Sequence, residues 1–256
     1  MSKERVEHQP IHCILVGDPG SGKSTGLATF PKPIIIFVFD PYGKDIPYLK
    51  KGEAQPMDPD ESGTPIEEVY SKKTGACLIR LEYYRDLDPT KPTAYRRFLN
   101  RMGSFQQEYQ EWKTVGLDSV TFMELAARKY SQYKLNPSAK DGRQWYGYAK
   151  EALEEVLMIR FGALPMNVVI CAHVSEEKDE VNGGFVRGIH AVGKLGKNLP
   201  AGYSELYRCF VKKEKDGEPE YLWQTRPNML WNAASQIDAP NPCFPSYAAL
   251  WQGEGG

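Results

Sequence analysis

The sequence has few of the groups that carry redox or metal chemistry. Its 256 residues include five cysteines and four histidines. Cys13, Cys77, Cys171, Cys209 and Cys243 are dispersed, with no C-x-x-C pair among them. That spacing argues against a zinc site and against a disulfide framework. An odd, scattered set reads as reduced residues of a cytosolic protein. No run of about 18 apolar residues is present, so no membrane span is expected. Residues 1–10 lack the apolar segment of a signal peptide, and the expected location is the cytoplasm. An excess of either charge is also missing. With 32 basic and 33 acidic residues, the formal net charge is −1. Bulk charge therefore does not hold this chain to nucleic acid or acidic lipid, and any such binding must come from local patches. There is no internal repeat and no low-complexity segment.

What is present is an alternation of apolar runs and helical stretches. Strands are expected at 12–16, 34–39, 77–83, 114–117 and 167–172. Helices are expected near 22–29, 93–112, 120–130 and 144–161. Ile34 to Phe39 is apolar throughout, as in a strand buried on both faces of a parallel sheet. Thr64-Pro65-Ile66-Glu67 reads as a helix start, with Thr as N-cap, Pro at the first position and Glu at the third. The segments 131–142 and 175–202 read as loops. The runs 206–212 and 221–225 read as antiparallel neighbours across the Asp216-Gly217 turn. This pattern predicts an α/β fold: a mostly parallel sheet flanked by helices, with antiparallel strands at its C-terminal edge. The core is expected over residues 1–230, with residues 231–256 as a C-terminal tail.

One stretch carries chemistry in its spacing. Residues 14–25 read I-L-V-G-D-P-G-S-G-K-S-T, a strand running into a glycine turn and then a helix start. Gly17, Asp18, Pro19, Gly20, Ser21, Gly22, Lys23 and Ser24 match G-x-x-x-x-G-K-[ST] without a gap. The glycines let backbone N–H groups wrap a phosphate, and the helix start favours an anion. Lys23 can reach the β- and γ-phosphates, and Ser24 can ligate Mg²⁺. The expected cofactors are ATP and Mg²⁺, with Gly17 through Thr25 binding the nucleotide. The same chemistry asks for a carboxylate from an adjacent strand to hold the metal. Val115-Gly116-Leu117-Asp118 is an apolar strand ending in acid. Asp118 either holds the metal with Ser24 or caps the following helix.

With both motifs in place, the chain resembles the core of RecA-type P-loop ATPases over roughly residues 10–230. It is most similar to phage-encoded, core-only members associated with single-strand annealing and recombination. In that family a catalytic glutamate stands two residues after an aspartate that ends a strand. Here the strand ends in Asp40 and the matching position holds Tyr42. Asp40, Asp45 or Glu82 can substitute as general base, and Asp40 can equally be a turn residue ahead of Pro41. The departure implies slow hydrolysis. The resemblance further implies that His173, at the end of Val169-Ile170-Cys171-Ala172, senses the γ-phosphate.

The family's two DNA-facing loops fall at 131–143 and 175–198. The first holds Lys134, Lys140 and Arg143, with Trp145 and Tyr146 at its edge. The second begins acidic, with Glu176, Glu177, Asp179 and Glu180, and ends basic, with Arg187, His190, Lys194 and Lys197. Basic groups near glycines suit the backbone of a single strand, and aromatics suit its bases. Arg226, or Lys212 and Lys213 nearby, matches the cation that a neighbouring subunit inserts into the ATP site. Lys23, Asp118, Asp40, His173 and Arg226 are thus the expected catalytic set. The resemblance implies an oligomeric ATP hydrolase, a ring or a filament, stimulated by single-stranded DNA and active in recombination or annealing. The alternatives are a nucleotide-gated assembly protein that hydrolyses little, and a helicase-loader or motor ATPase.

Overall fold

The computed structural model of the chain describes residues 9–41, 54–178, 185–213 and 217–252. Tyr42, Asp45, Asp179, Glu180 and Asp216 lie outside the described residues. Four strands form the middle of one sheet: β1 (His12–Val16), β2 (Ile34–Val38), β6 (Thr114–Asp118) and β7 (Asn167–Ala172). β2, β6 and β7 are buried at every position, as continuous apolar runs in a parallel sheet require. β5 (Cys77–Tyr83) and β10 (Glu205–Lys212) extend the parallel part on either side. The edges turn antiparallel: β3 (Ala54–Met57) and β4 (Ile66–Tyr70) beyond β5, and β11 (Glu220–Gln224) and β12 (Ala234–Ser235) beside β10. The strand order is β11-β10-β1-β7-β6-β2-β5-β4-β3, with β12 also on β10.

Alternation along the strands supplies two cores. Ile14, Phe37, Leu117 and Ile170 face the layer made by α2 (Ala94–Glu108), α3 (Val120–Tyr130) and α4 (Arg143–Glu154). Cys13, Leu15, Ile36 and Cys171 face the other way, toward α1 (Lys23–Leu27) and the end of the chain. Phe37 sits among Phe98, Phe105 and Tyr84, with ring centroids 5.5, 5.5 and 6.2 Å away. Burying a side chain of that size stabilises by about 1.5–3 kcal/mol. The segment after 230 joins both cores. Trp231 packs in the first, and Ala239, Cys243 and Leu250 pack in the second. Cys243 and Trp223 exchange backbone hydrogen bonds of 2.9 and 3.0 Å. Among the described residues, no helix is long and apolar enough to cross a membrane.

Three local expectations change. The helix expected from Thr64 is instead β4, because Ile66 and Val69 bury their side chains and the segment pairs with β5. Sheet pairing overrides the local capping signals. Residues 131–135 continue α3 as a π-helical turn, so the loop is shorter than expected. Much of 175–202 is ordered: a hairpin of β8 (Val174–Lys178) and β9 (Phe185–Ile189), then α5 (Leu195–Asn198) and a 3₁₀ turn at Leu199–Gly202.

Candidate nucleotide-binding site

The register of the parallel strands brings the ends of β1, β7, β6 and β2 together. Val16 lies beside Ala172, Cys171 beside Asp118, and Asp118 beside Val38. Gly17 and His173, the next residues along, and Asp40, two beyond Val38, therefore converge at one edge of the sheet. There the chain leaves β1 and wraps. The Gly17 N–H still donates to the Ala172 carbonyl at 3.2 Å. A Cβ at Gly17 would lie 2.5 Å from the Cys209 carbonyl oxygen, so only glycine fits. Gly20 and Gly22 adopt φ of +76° and +85°, the left-handed region that glycine enters without strain.

Lys23 is almost buried, and its ammonium donates to the carbonyls of Gly17 and Asp18 at 2.8 and 2.9 Å. Ser24 Oγ donates to Asp118 Oδ2 at 2.6 Å. The Asp118 carboxylate thus faces the loop, and the side chain that precedes α3 at its cap, Ser119, makes no capping bond. Burial raises the pKa of Asp118, and nearby Asp40 adds to the shift. The Ser24 hydrogen bond and Lys23 oppose it. Ser21 Oγ is buried with no hydrogen-bond partner among the described residues.

These groups line a cleft of about 1070 Å³. Its wall carries Lys23 among the carboxylates of Asp40, Asp118, Glu218 and Glu220. A triphosphate entering such a site needs a divalent cation to balance charge. A hydroxyl and a carboxylate already in contact, Ser24 and Asp118, are a hard-oxygen pair of the kind that holds Mg²⁺. The donor set therefore fits Mg·ATP. His173 lines the cleft half-buried, with Phe122 edge-on to its ring at 5.7 Å. Burial, and then Lys23, hold its pKa below the usual histidine range, so the imidazole is neutral at pH 7.

Two expected positions fall elsewhere. Glu82 is fully buried on β5 and bonded to Arg80, Arg101 and Tyr84, which leaves it outside the cleft. Arg226 is exposed, ion-paired with Asp238 at 2.9 Å, and does not line the cleft of its own chain. Lys134, Lys140 and Arg143 are all exposed, and Arg143 is paired with Asp141 at 2.5 Å. The Trp145 indole N–H donates to the Asn136 carbonyl at 3.0 Å, and Arg128 holds the Tyr146 hydroxyl. Arg187 pairs across the hairpin with Glu176 at 2.5 Å, while Lys194 and Lys197 are exposed near α5.

Sequence reasoning missed the cleft's aromatic wall. Tyr221 on β11 and Phe244 in the C-terminal segment both line it, with Pro219 and Pro245. Tyr221 packs so close to the loop that a Cβ on Gly22 would lie 3.2 Å from its ring. The side chain of Phe244 is largely exposed. Two exposed aromatics beside a phosphate loop suit a flat base.

The strand order and this cleft define a P-loop nucleotide-binding core on a mostly parallel sheet. The chain belongs to the AAA domain family, whose profile matches residues 9–235. Among curated proteins none matches the sequence. Among solved structures, a KaiC-like protein of Pyrococcus horikoshii OT3 is similar at 12% identity and TM-score 0.41, over 89% of this chain and 83% of that one. The flagellar accessory protein FlaH of Methanocaldococcus jannaschii is similar at 11% identity and TM-score 0.43, over 84% and 77%. An ATPase from the type III secretion system of pathogenic bacteria is similar at 16% identity and TM-score 0.41, over 78% of this chain and 52% of that one.

Proposed function

We propose that the protein binds and slowly hydrolyses Mg·ATP to control its grip on single-stranded DNA, and that it works as an oligomer in recombination or strand annealing. One observation carries this reading. The β8–β9 hairpin begins at the residue after His173, which lines the nucleotide cleft. The bond that closes the hairpin's base ties the two again: the N–H of His190, where the second strand returns, donates to the His173 carbonyl at 2.8 Å. A change at His173 is therefore passed directly to Arg187 and to the basic segment through Lys194 and Lys197. Coupling follows if the bound nucleotide favours one hairpin arrangement over another.

In this scheme Lys23 exchanges its loop carbonyls for phosphate oxygens. Ser24 and Asp118 would hold Mg²⁺, which would supply charge balance at the phosphates. Asp40, the remaining carboxylate beside Asp118, takes the proton of the attacking water. His173, neutral, hydrogen-bonds toward the γ-phosphate. Arg226 of one subunit completes the cleft of the next and stabilises charge there.

The test is salt dependence. Each phosphate contact on a single strand adds about 0.7 to the slope of log affinity against log salt. Neutralising Arg187, Lys194 and Lys197 together should lower that slope by about 2. An unchanged slope removes the hairpin from the DNA interface. A second reading, a nucleotide-gated assembly protein, is favoured by the ion pairs that already occupy Arg143 and Arg187. It requires ATP turnover that DNA does not stimulate.

A further inference from the structure

A second cavity, of about 340 Å³, shares no lining residue with the nucleotide cleft and lies between the hairpin, α5, the end of β1 at Val16, and Leu206 to Arg208 of β10. Arg187, Lys197 and Arg208 line it, together with Ser175, Trp231 and Asn232. No carboxylate is among the described residues of its wall. Glu176, just outside the wall, pairs with Arg187 at 2.5 Å, so the uncompensated charge facing the cavity is carried mainly by Arg208. The rest of the wall is apolar, from Ile189, Leu206 and Pro200.

The guanidinium groups are held in place. Arg208 lies over the Trp231 ring at 4.5 Å and over Phe210 at 4.8 Å, and it donates to Gln224 at 3.2 Å. Arg187 lies over the same indole at 5.6 Å. Trp231 is buried, so its ring is a mount for two arginines and is not free to stack on a base. Burial, and then the neighbouring Arg187, push the Arg208 pKa down. Glu176, paired with Arg187, and Asp18, which acts on Arg208 from the phosphate loop, offset part of the repulsion between the two cations, and an anion between them removes the rest. Preset guanidinium groups suit phosphate, which they bind through paired N–H donors.

We propose that this cavity is a second anion site, taking the phosphate of a nucleotide-sized ligand between Arg187 and Arg208, with Lys197 at its rim. Two sources share that chemistry: a phosphodiester of single-stranded DNA, or a free phosphate compound. The site is linked to the first. Arg208 lies beside Val16 in the sheet, and the carbonyl of the next residue, Cys209, packs against Gly17. An anion drawn onto Arg208 therefore acts on the strand that backs the phosphate loop.

The experiment uses the full-length Lys23→Ala protein, in which the phosphate loop is disabled. Inorganic phosphate, and separately an oligothymidylate of roughly sixteen residues, are titrated calorimetrically. The same titrations are run after adding Arg208→Gln or Lys197→Gln. Each added change should weaken one or both ligands by about tenfold, the order expected for one lost charge-assisted contact. Phosphate competing with the oligonucleotide makes the site common to both sources. Loss confined to the oligonucleotide assigns it to the DNA backbone. Loss confined to phosphate supports the cavity even where the DNA reading fails. Unchanged affinity for both ligands, in variants that still melt cooperatively, overturns the proposal. Should Arg208→Gln fail to fold, Lys197→Gln, at an exposed side chain, decides alone.

Discussion

Lys23→Ala separates what the lysine does for the fold from what it does for nucleotide. Lys23 is 6% exposed, and its ammonium donates to two carbonyls of its own loop, at 2.8 and 2.9 Å. Hydrogen bonds to a charged group contribute about 1.5–3 kcal/mol each, so the pair contributes about 3–6 kcal/mol. Holding a cation nearly out of water costs several kcal/mol in return. The balance leaves a net loss of about 1–2 kcal/mol on removal. For a domain of this size, a loss of that order lowers the melting midpoint by about 2–8 °C. Nucleotide adds a larger effect. A ligand at about 100 times its Kd stabilises by about 2.7 kcal/mol, or about 5–11 °C here. The assay is thermal denaturation with and without Mg·ATP. Wild-type protein should gain that increment, and Lys23→Ala should start slightly lower and gain nothing. A variant that gains the full increment refutes the assignment of the loop as the phosphate site.

The aromatic wall makes a second expectation. Phe244→Ala, at an exposed side chain, should leave folding intact and weaken ATP by roughly five- to thirtyfold, the range for about 1–2 kcal/mol of stacking. Pyrophosphate, which has no base, should bind unchanged in direct competition assays. His173 makes a third. Its folded pKa lies below its unfolded value, so the unfolded chain takes up the proton first as pH falls. Stability is present above about pH 6.5 and is lost as pH drops from there toward the folded pKa. Denaturant midpoints of wild type should fall over that window more steeply than those of His173→Asn, and parallel curves would contradict the assignment. Arg226→Ala should barely alter monomer stability, since its ion pair with Asp238 is exposed. ATP turnover should drop only at protein concentrations that support assembly; an equal drop in dilute protein argues against a role between subunits.

The phosphate loop was legible because its function is local: eight consecutive residues set both the turn and the charge. Asp118 was legible for a related reason, since an apolar strand ending in acid marks the same sheet edge. The adjacency of the two comes from sheet order. β7 alone separates β1 from β6, and spacing along the chain does not reveal that. Tyr221 and Phe244 were not legible, because β11 and the C-terminal segment reach the loop only after the sheet forms. β4 misled for the opposite reason. Thr64, Pro65 and Glu67 are good local helix signals, but the burial of Ile66 and Val69 against β5 outweighs them. The hairpin was missed because its first strand, β8, is polar and rich in charge. Among the described residues only two strands pair there, and β9 buries Ile189 while exposing Phe185, so no regular apolar alternation marks it. Glu82 looked available as a base at a strand end, and long-range pairing with Arg101 from α2 removes it.

The most direct test of the account is Mg²⁺-dependent ATP turnover measured with and without single-stranded DNA. The basal rate should be slow and should rise as oligothymidylate is added, saturating with the DNA affinity measured independently. Turnover that stays flat across the whole titration, with DNA demonstrably bound, would contradict the coupling between the cleft at His173 and the hairpin that follows it.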